Sequence, residues 1–159
     1  MAIMTNLLVK DDANPLVELT FVPISDNPDP FWRTIIPGVP MDGQARLSQS
    51  VQKQKNGSYK VTAKLEIPVM ETLGASGTSA GYVAPPKVAY VNTVIVSLFA
   101  DGRSTIADRA NTLKLMLGLL AGATSTTSTG TINGASAADV YKNSSAAFPQ
   151  LFSTLILAS

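Results

Sequence analysis

The sequence predicts an α+β fold, an antiparallel sheet followed by helices. Every run with strand character precedes Asp101-Gly102, and helical periodicity starts only after it. One pair of runs, on either side of Asn56-Gly57, alternates apolar and polar residues so regularly that it specifies its own pairing. Strands first and helices last is the order of an α+β domain, not of alternating βαβ units. A chain of 159 residues suits a single domain with its own core.

Segments 6–10 and 16–22 are short β-type runs around Asp11-Asp12-Ala13-Asn14-Pro15, a turn composition, and read as an N-terminal hairpin within residues 1–24. A link containing Pro23, Pro28 and Pro30 leads to a third run, 31–36, which Pro37-Gly38-Val39-Pro40 ends.

Segment 45–67 carries the clearest pattern. In 60–67, Val61, Ala63, Leu65 and Ile67 share one face, and Lys60, Thr62, Lys64 and Glu66 share the other. In the preceding run Ala45, Leu47 and Val51 lie on the apolar side, with Arg46, Ser48, Ser50 and Gln52 opposite. A two-residue Asn56-Gly57 turn would set Val51 across from Thr62 and mix the faces. Residues directly opposite share a face, so the pattern needs an odd loop. A Lys55-Asn56-Gly57 loop, with Gly57 left-handed, supplies it. It pairs Gln52 with Lys60, Ser50 with Thr62, Ser48 with Lys64, and Arg46 with Glu66. Pro68 is expected to close the second strand.

Segment 72–87 is rich in Gly, Ser and Pro and reads as a long loop within a sheet spanning 31–100. Segment 88–99 is the strongest strand, with Tyr90 and Asn92 as polar or amphipathic members of one face. A helix is expected over 104–122. Thr105 caps it, Asp108 completes a capping-box-like start, and Gly122 is the stop. Ile106, Ala110, Leu113, Leu117 and Leu120 recur at helical spacing, while Leu115, Met116 and Leu119 lie off that stripe. A helix apolar most of the way round is buried between partners, and an obligate dimer would satisfy it. A Ser/Thr/Gly linker, 124–134, precedes a weaker helix, 135–147, and an apolar tail, 148–159.

Composition removes several function classes. The chain holds no cysteine and no histidine, which excludes disulfides, thiolate chemistry, histidine-based triads and the commonest metal sites. No cofactor is expected. Gly77-Thr78-Ser79-Ala80-Gly81 matches a nucleophile elbow, but that motif needs a strand-to-helix turn and a histidine base, so it reads as coincidence. Asp26, Asp29, Asp42, Asp101 and Asp108 show no paired arrangement. The chain is not expected to be an enzyme. No basic region followed by an apolar run opens the sequence, and the apolar segment 88–100 falls short of the ~20 residues that cross a bilayer. A cytosolic protein without a membrane partner is the expectation.

Net charge is only +1, yet five of the twelve cations, Arg46, Lys53, Lys55, Lys60 and Lys64, fall in one stretch. A solvated sheet face is ordinarily just polar. Here it combines cations, short hydroxyls and amides, with Tyr90 and Asn92 on a neighbouring strand. Cations for phosphates, hydroxyls and amides for base edges, and an aromatic for stacking are what single-stranded RNA recognition needs.

The stretches "ARLSQSV", "YKVTAKLEIP" and "AYVNTVIVSLFADGRSTIADRANTLKLMLGLL" resemble the coat proteins of the small single-stranded RNA bacteriophages, the leviviruses. The resemblance covers about 44–122 and extends more loosely to "LLVKDD…VELTFVP". It implies an N-terminal hairpin, a five-stranded antiparallel sheet and two C-terminal helices interlocking with a second subunit. It further implies homodimers assembling into an icosahedral shell around the genome, within the host cytoplasm, and an RNA hairpin bound to repress replicase translation. Carried over by motif, Ser48, Ser50, Thr62 and Lys64 would form adenine pockets. Tyr90 would stack on a loop base, and Asn92, Arg46 and Gln52 would lie near phosphates or base edges. Loop 72–87 would gather at five-fold and pseudo-six-fold vertices. Gln52 stands where one branch of the family has a cation, and the tail 148–158 has no counterpart there, so it is expected to pack on a neighbouring subunit or dimer. A dimeric RNA-binding regulator that never builds a shell, and a fibre or surface subunit with a merely wet polar face, are the alternatives.

Overall fold

The computed structural model describes residues 4–71 and 86–121. The chain forms two compact units, residues 1–8 with 20–102, and residues 9–19 with 103–159. Among the described residues six strands form one sheet in sequence order: β1 (Leu7–Lys10), β2 (Glu18–Ser25), β3 (Phe31–Thr34), β4 (Arg46–Lys53), β5 (Tyr59–Met70) and β6 (Val88–Ala100). Strands β2 to β6 pair antiparallel, each with the next. Among the described residues the expected N-terminal hairpin supplies the first two strands of this sheet. Strand β2 also runs on through Pro23, paired with Trp32, instead of ending before it.

The β4–β5 register is the one the alternation required. Gln52 faces Lys60, Ser50 faces Thr62, Ser48 faces Lys64, and Arg46 faces Glu66. Gln54 N–H donates to Ser58 O at 2.8 Å and Gly57 N–H to Gln54 O at 3.0 Å, leaving residues 55–57 as the loop. Gly57 sits at φ 83°, a conformation that a side chain would strain.

Pro68 does not close β5, which continues to Met70 with Pro68 opposite Val91. Strand β4 begins at Arg46, opposite Glu66, so beyond that point one edge of β5 has no partner strand. A missing N–H is tolerated on an unpaired edge. The register shifts between Val69 and Met70, and the ladder hands over to a bond from Glu71 N–H to Lys87 O at 2.8 Å.

Phe21, Trp32, Ala45 and Ala100 are the buried apolar residues among those described. Gln44 organises the turn beside them. Its Oε1 accepts from Thr34 Oγ1 at 3.0 Å and Ile36 N–H at 2.9 Å, and its Nε2 donates to Ile36 O and Val39 O at 2.9 Å each. Trp32 Nε1 donates to Thr5 O at 3.1 Å, which ties the N-terminal segment down.

In the second unit, Asp11 closes the turn of residues 11–17: its Oδ1 accepts from Ala13 N–H at 3.1 Å and Val17 N–H at 2.8 Å. Helix α1 spans Ile106–Leu120, with both halves of the Thr105–Asp108 capping box formed. No residue of α1 is buried, and Ile106, Leu115 and Leu113 are 79%, 70% and 48% exposed. Helix 135–147, tail 148–159, the stop at Gly122 and most of loop 72–87 lie outside the described residues.

Candidate nucleic-acid interface

Because facing residues in antiparallel strands share a side, the four pairings resolve the polar face into rows that cross the sheet. One row holds Val22, Arg33, Arg46, Glu66 and Thr93. The next holds Phe31, Ser48, Lys64 and Ile95. A third is all hydroxyl: Ser50, Thr62 and Ser97. The last, nearest the 55–57 loop, holds Gln52, Lys60 and Phe99.

Side-chain contacts follow these rows. Thr62 Oγ1 and Ser97 Oγ lie 3.3 Å apart in a hydrogen bond either can donate. Lys60 Nζ stands 5.8 Å from the centre of the Phe99 ring, whose residue is 66% exposed. Lys64 Nζ pairs with Glu66 Oε1 at 2.9 Å, so one acid partly neutralises one cation. Arg46 Nη2 donates to Asp42 O at 3.1 Å. Arg46, Ser48, Ser50, Thr62 and Lys64 are half-buried, while Gln52 is exposed. Neighbouring hydroxyls within a basic surface can donate to and accept from base edges while the cations hold phosphates.

Six of the eight residues expected at the site therefore share this face: Arg46, Ser48, Ser50, Gln52, Thr62 and Lys64. Tyr90 and Asn92 do not. Asn92 faces Ile67 and Tyr90 faces Val69, which places both on the other side with Val61 and Leu65. Alternation has a period of two, so the pairing phase alone decides the side. The bulge between Val69 and Met70 lies beyond the Val69–Tyr90 pair, toward Val88, and does not move Tyr90 to the polar side. Lys53 likewise faces Tyr59 and lies on the opposite side, away from Arg46, Lys60 and Lys64.

Arg33, Thr93, Ser97 and Phe99 also lie on this face, and for the three on β6 that place was not legible in the sequence pattern. Arg33 had a signal, since Phe31 and Arg33 alternate with Trp32 and Thr34. Strand β6 had none, because β-branched residues fill both of its faces.

The opposite side is apolar over β4 to β6. Val51, Val94, Val96 and Val61 are 65%, 48%, 39% and 38% exposed there.

The model of the levivirus coat protein family matches residues 2–144. The capsid protein of Pseudomonas phage PRR1 is 34% identical over 110 residues, 68% of this chain and 78% of that protein. The coat protein structure of bacteriophage EMS014 covers 99% of this chain and 100% of its own at 39% identity and a TM-score of 0.83. The capsid protein of bacteriophage GA, at 20% identity and a TM-score of 0.55 over 75% of this chain and 86% of that one, shares the fold. The α+β architecture is that of the levivirus coat fold.

Proposed function

The chain belongs to the levivirus coat protein family, whose members are structural and not enzymatic, and from that premise we propose that its homodimers close into an icosahedral shell around single-stranded RNA. The solved relative from bacteriophage EMS014 is a virus-like particle, 40% identical with a TM-score of 0.85 over 99% of this chain. Dimerisation is supported by unpartnered apolar surface: the open valine rows of the sheet and a leucine-rich helix without a buried residue. Apolar surface of that extent is characteristic of an interface.

The single observation that carries the RNA reading is the polar face, with cations, a hydroxyl row and an exposed aromatic ring in register on adjacent strands. Arg46, Lys60 and Lys64 meet phosphates, and Ser48, Ser50, Thr62 and Gln52 meet base edges. Phe99 takes the stacking role that the sequence reading assigned to Tyr90. The same face binds a replicase-start hairpin and thereby represses translation, a role supported by the family resemblance. The protein works in the virion and assembles in the cytoplasm of the bacterial host.

Negative-stain microscopy of the protein expressed alone, with the ultraviolet absorbance ratio of the same fraction, tests this. Closed particles with nucleic-acid absorbance are expected. A small dimer carrying RNA would replace the shell with a regulator, and a species free of nucleic acid would reduce the polar face to solvated surface.

A further inference from the structure

The β3–β4 register sets Arg33 directly across from Arg46 on the polar face. Like charges facing each other on neighbouring strands destabilise the pair unless something compensates them. Among the described residues neither guanidinium pairs with a carboxylate. Arg46 reaches only the backbone oxygen of Asp42, and the Nε of Arg33 is shut off from solvent without a hydrogen-bond partner. An arginine donor closed off from water without a partner costs free energy that an acceptor beside it would recover.

The two arginines line one open surface cleft together with Phe31, Met41 and Asp42. Among the described residues Asp42 is the one acid in the lining, set against two guanidinium groups. The cleft continues the proposed RNA surface, because Phe31 faces Ser48, which in turn faces Lys64.

We propose that the Arg33–Arg46 cleft binds one backbone phosphate of the RNA, Arg33 being a contact not assigned above. This rests on the RNA-face reading. Guanidinium forks match phosphate oxygens in geometry and charge, and an anion between the two converts a repulsive pair into a clamp.

The test titrates the full-length wild type, Arg33→Gln and Arg33→Lys with a short fluorescent single-stranded RNA over a range of salt. Losing one phosphate contact lowers the slope of log affinity against log salt by about 0.7. Arg33→Gln should show that drop, and Arg33→Lys should keep the wild-type slope. If Arg33→Gln binds RNA with the wild-type slope, the RNA face stands and the cleft proposal alone falls. If the wild type binds no RNA, both fall. An arginine-specific dicarbonyl label read by mass spectrometry needs no variant. RNA should shield Arg33 and Arg46 and leave Arg109 labelled. Equal labelling of Arg33 with and without RNA overturns the proposal. Shielding by inorganic phosphate, with none from RNA, also overturns it and assigns the cleft to the free ion.

Discussion

Lys60 lies directly across the β5–β6 pair from Phe99, its ammonium 5.8 Å from the centre of an open ring. The pair stands at the end of the polar face nearest the 55–57 loop. It presents a cation and a stacking surface side by side, and each has a use for RNA: phosphate for one, a base for the other.

Phe99→Ala should therefore weaken binding of single-stranded RNA by about 1–3 kcal/mol, the worth of a base-stacking aromatic. Tyr90→Ala, on the other side of the sheet, should leave the affinity of intact dimers unchanged. Fluorescence anisotropy on the two variants checks this, and the reverse ranking would return the site to Tyr90.

Glu66 holds Lys64 in an ion pair at 2.9 Å, with side chains 26% and 40% exposed. Glu66→Gln frees the cation, so RNA affinity should rise and its salt dependence steepen. Stability should change by less than about 1 kcal/mol, because exposed pairs contribute little. Affinity unchanged across salt would mean that Lys64 does not meet phosphate.

The capping box of α1 gives a pH prediction with a definite sign. Hydrogen bonds from the Thr105 backbone N–H and hydroxyl to Asp108 Oδ2, at 3.0 and 2.8 Å, hold that carboxyl below the ordinary aspartate range, with a smaller contribution from Arg109. A depressed folded-state pKa stabilises above the unfolded value, and that contribution is lost as pH falls through the folded one. The Tm gap between wild type and Asp108→Asn should be full near neutrality and shrink in acid below about pH 4. Thr105→Ala, which removes the cap itself, should cost about 1 kcal/mol at neutral pH. A gap that grows in acid would contradict the assignment.

Gln44, itself buried beside Thr34, satisfies four polar groups of the turn that follows β3. Gln44→Leu keeps much of the volume but strands the Thr34 hydroxyl, Ile36 N–H and Val39 O, while Ile36 O keeps its bond from Val39 N–H at 3.3 Å. Each buried group left unpaired costs about 1–3 kcal/mol. Denaturant unfolding should show a loss of at least about 2 kcal/mol, and a loss under 1 would mean that water replaces the amide.

What could be read beforehand followed from how strictly each segment alternates. Segment 45–67 mixes Ser, Thr, Lys and Arg with aliphatics at a period of two, so a one-residue slip would have put Lys64 among valines, and only one loop length avoids that. Thr105 and Asp108 needed only local spacing. Strand β6 offered no such constraint: Val91, Val94, Ile95 and Val96 fall on both faces, so nothing within it fixed the phase of Tyr90 and Asn92. Its side is set by pairing with β5 across a long connection, which is tertiary information. The strand through Pro68 was hidden for a related reason, since proline is excluded only where a partner needs its N–H, and β4 stops short of it. Gln44 left no trace, one amide in a turn looking like any other.

The central claim is that RNA lies on the face shared by Arg46, Thr62, Lys64 and Phe99. Ultraviolet cross-linking of RNA-filled particles, with the linked peptides identified by mass spectrometry, tests it most directly. The account predicts adducts at Phe99 and in the peptides carrying Lys60 and Lys64, with Tyr90 unlinked. Adducts concentrated at Tyr90, with none on the Lys60–Phe99 row, would contradict it.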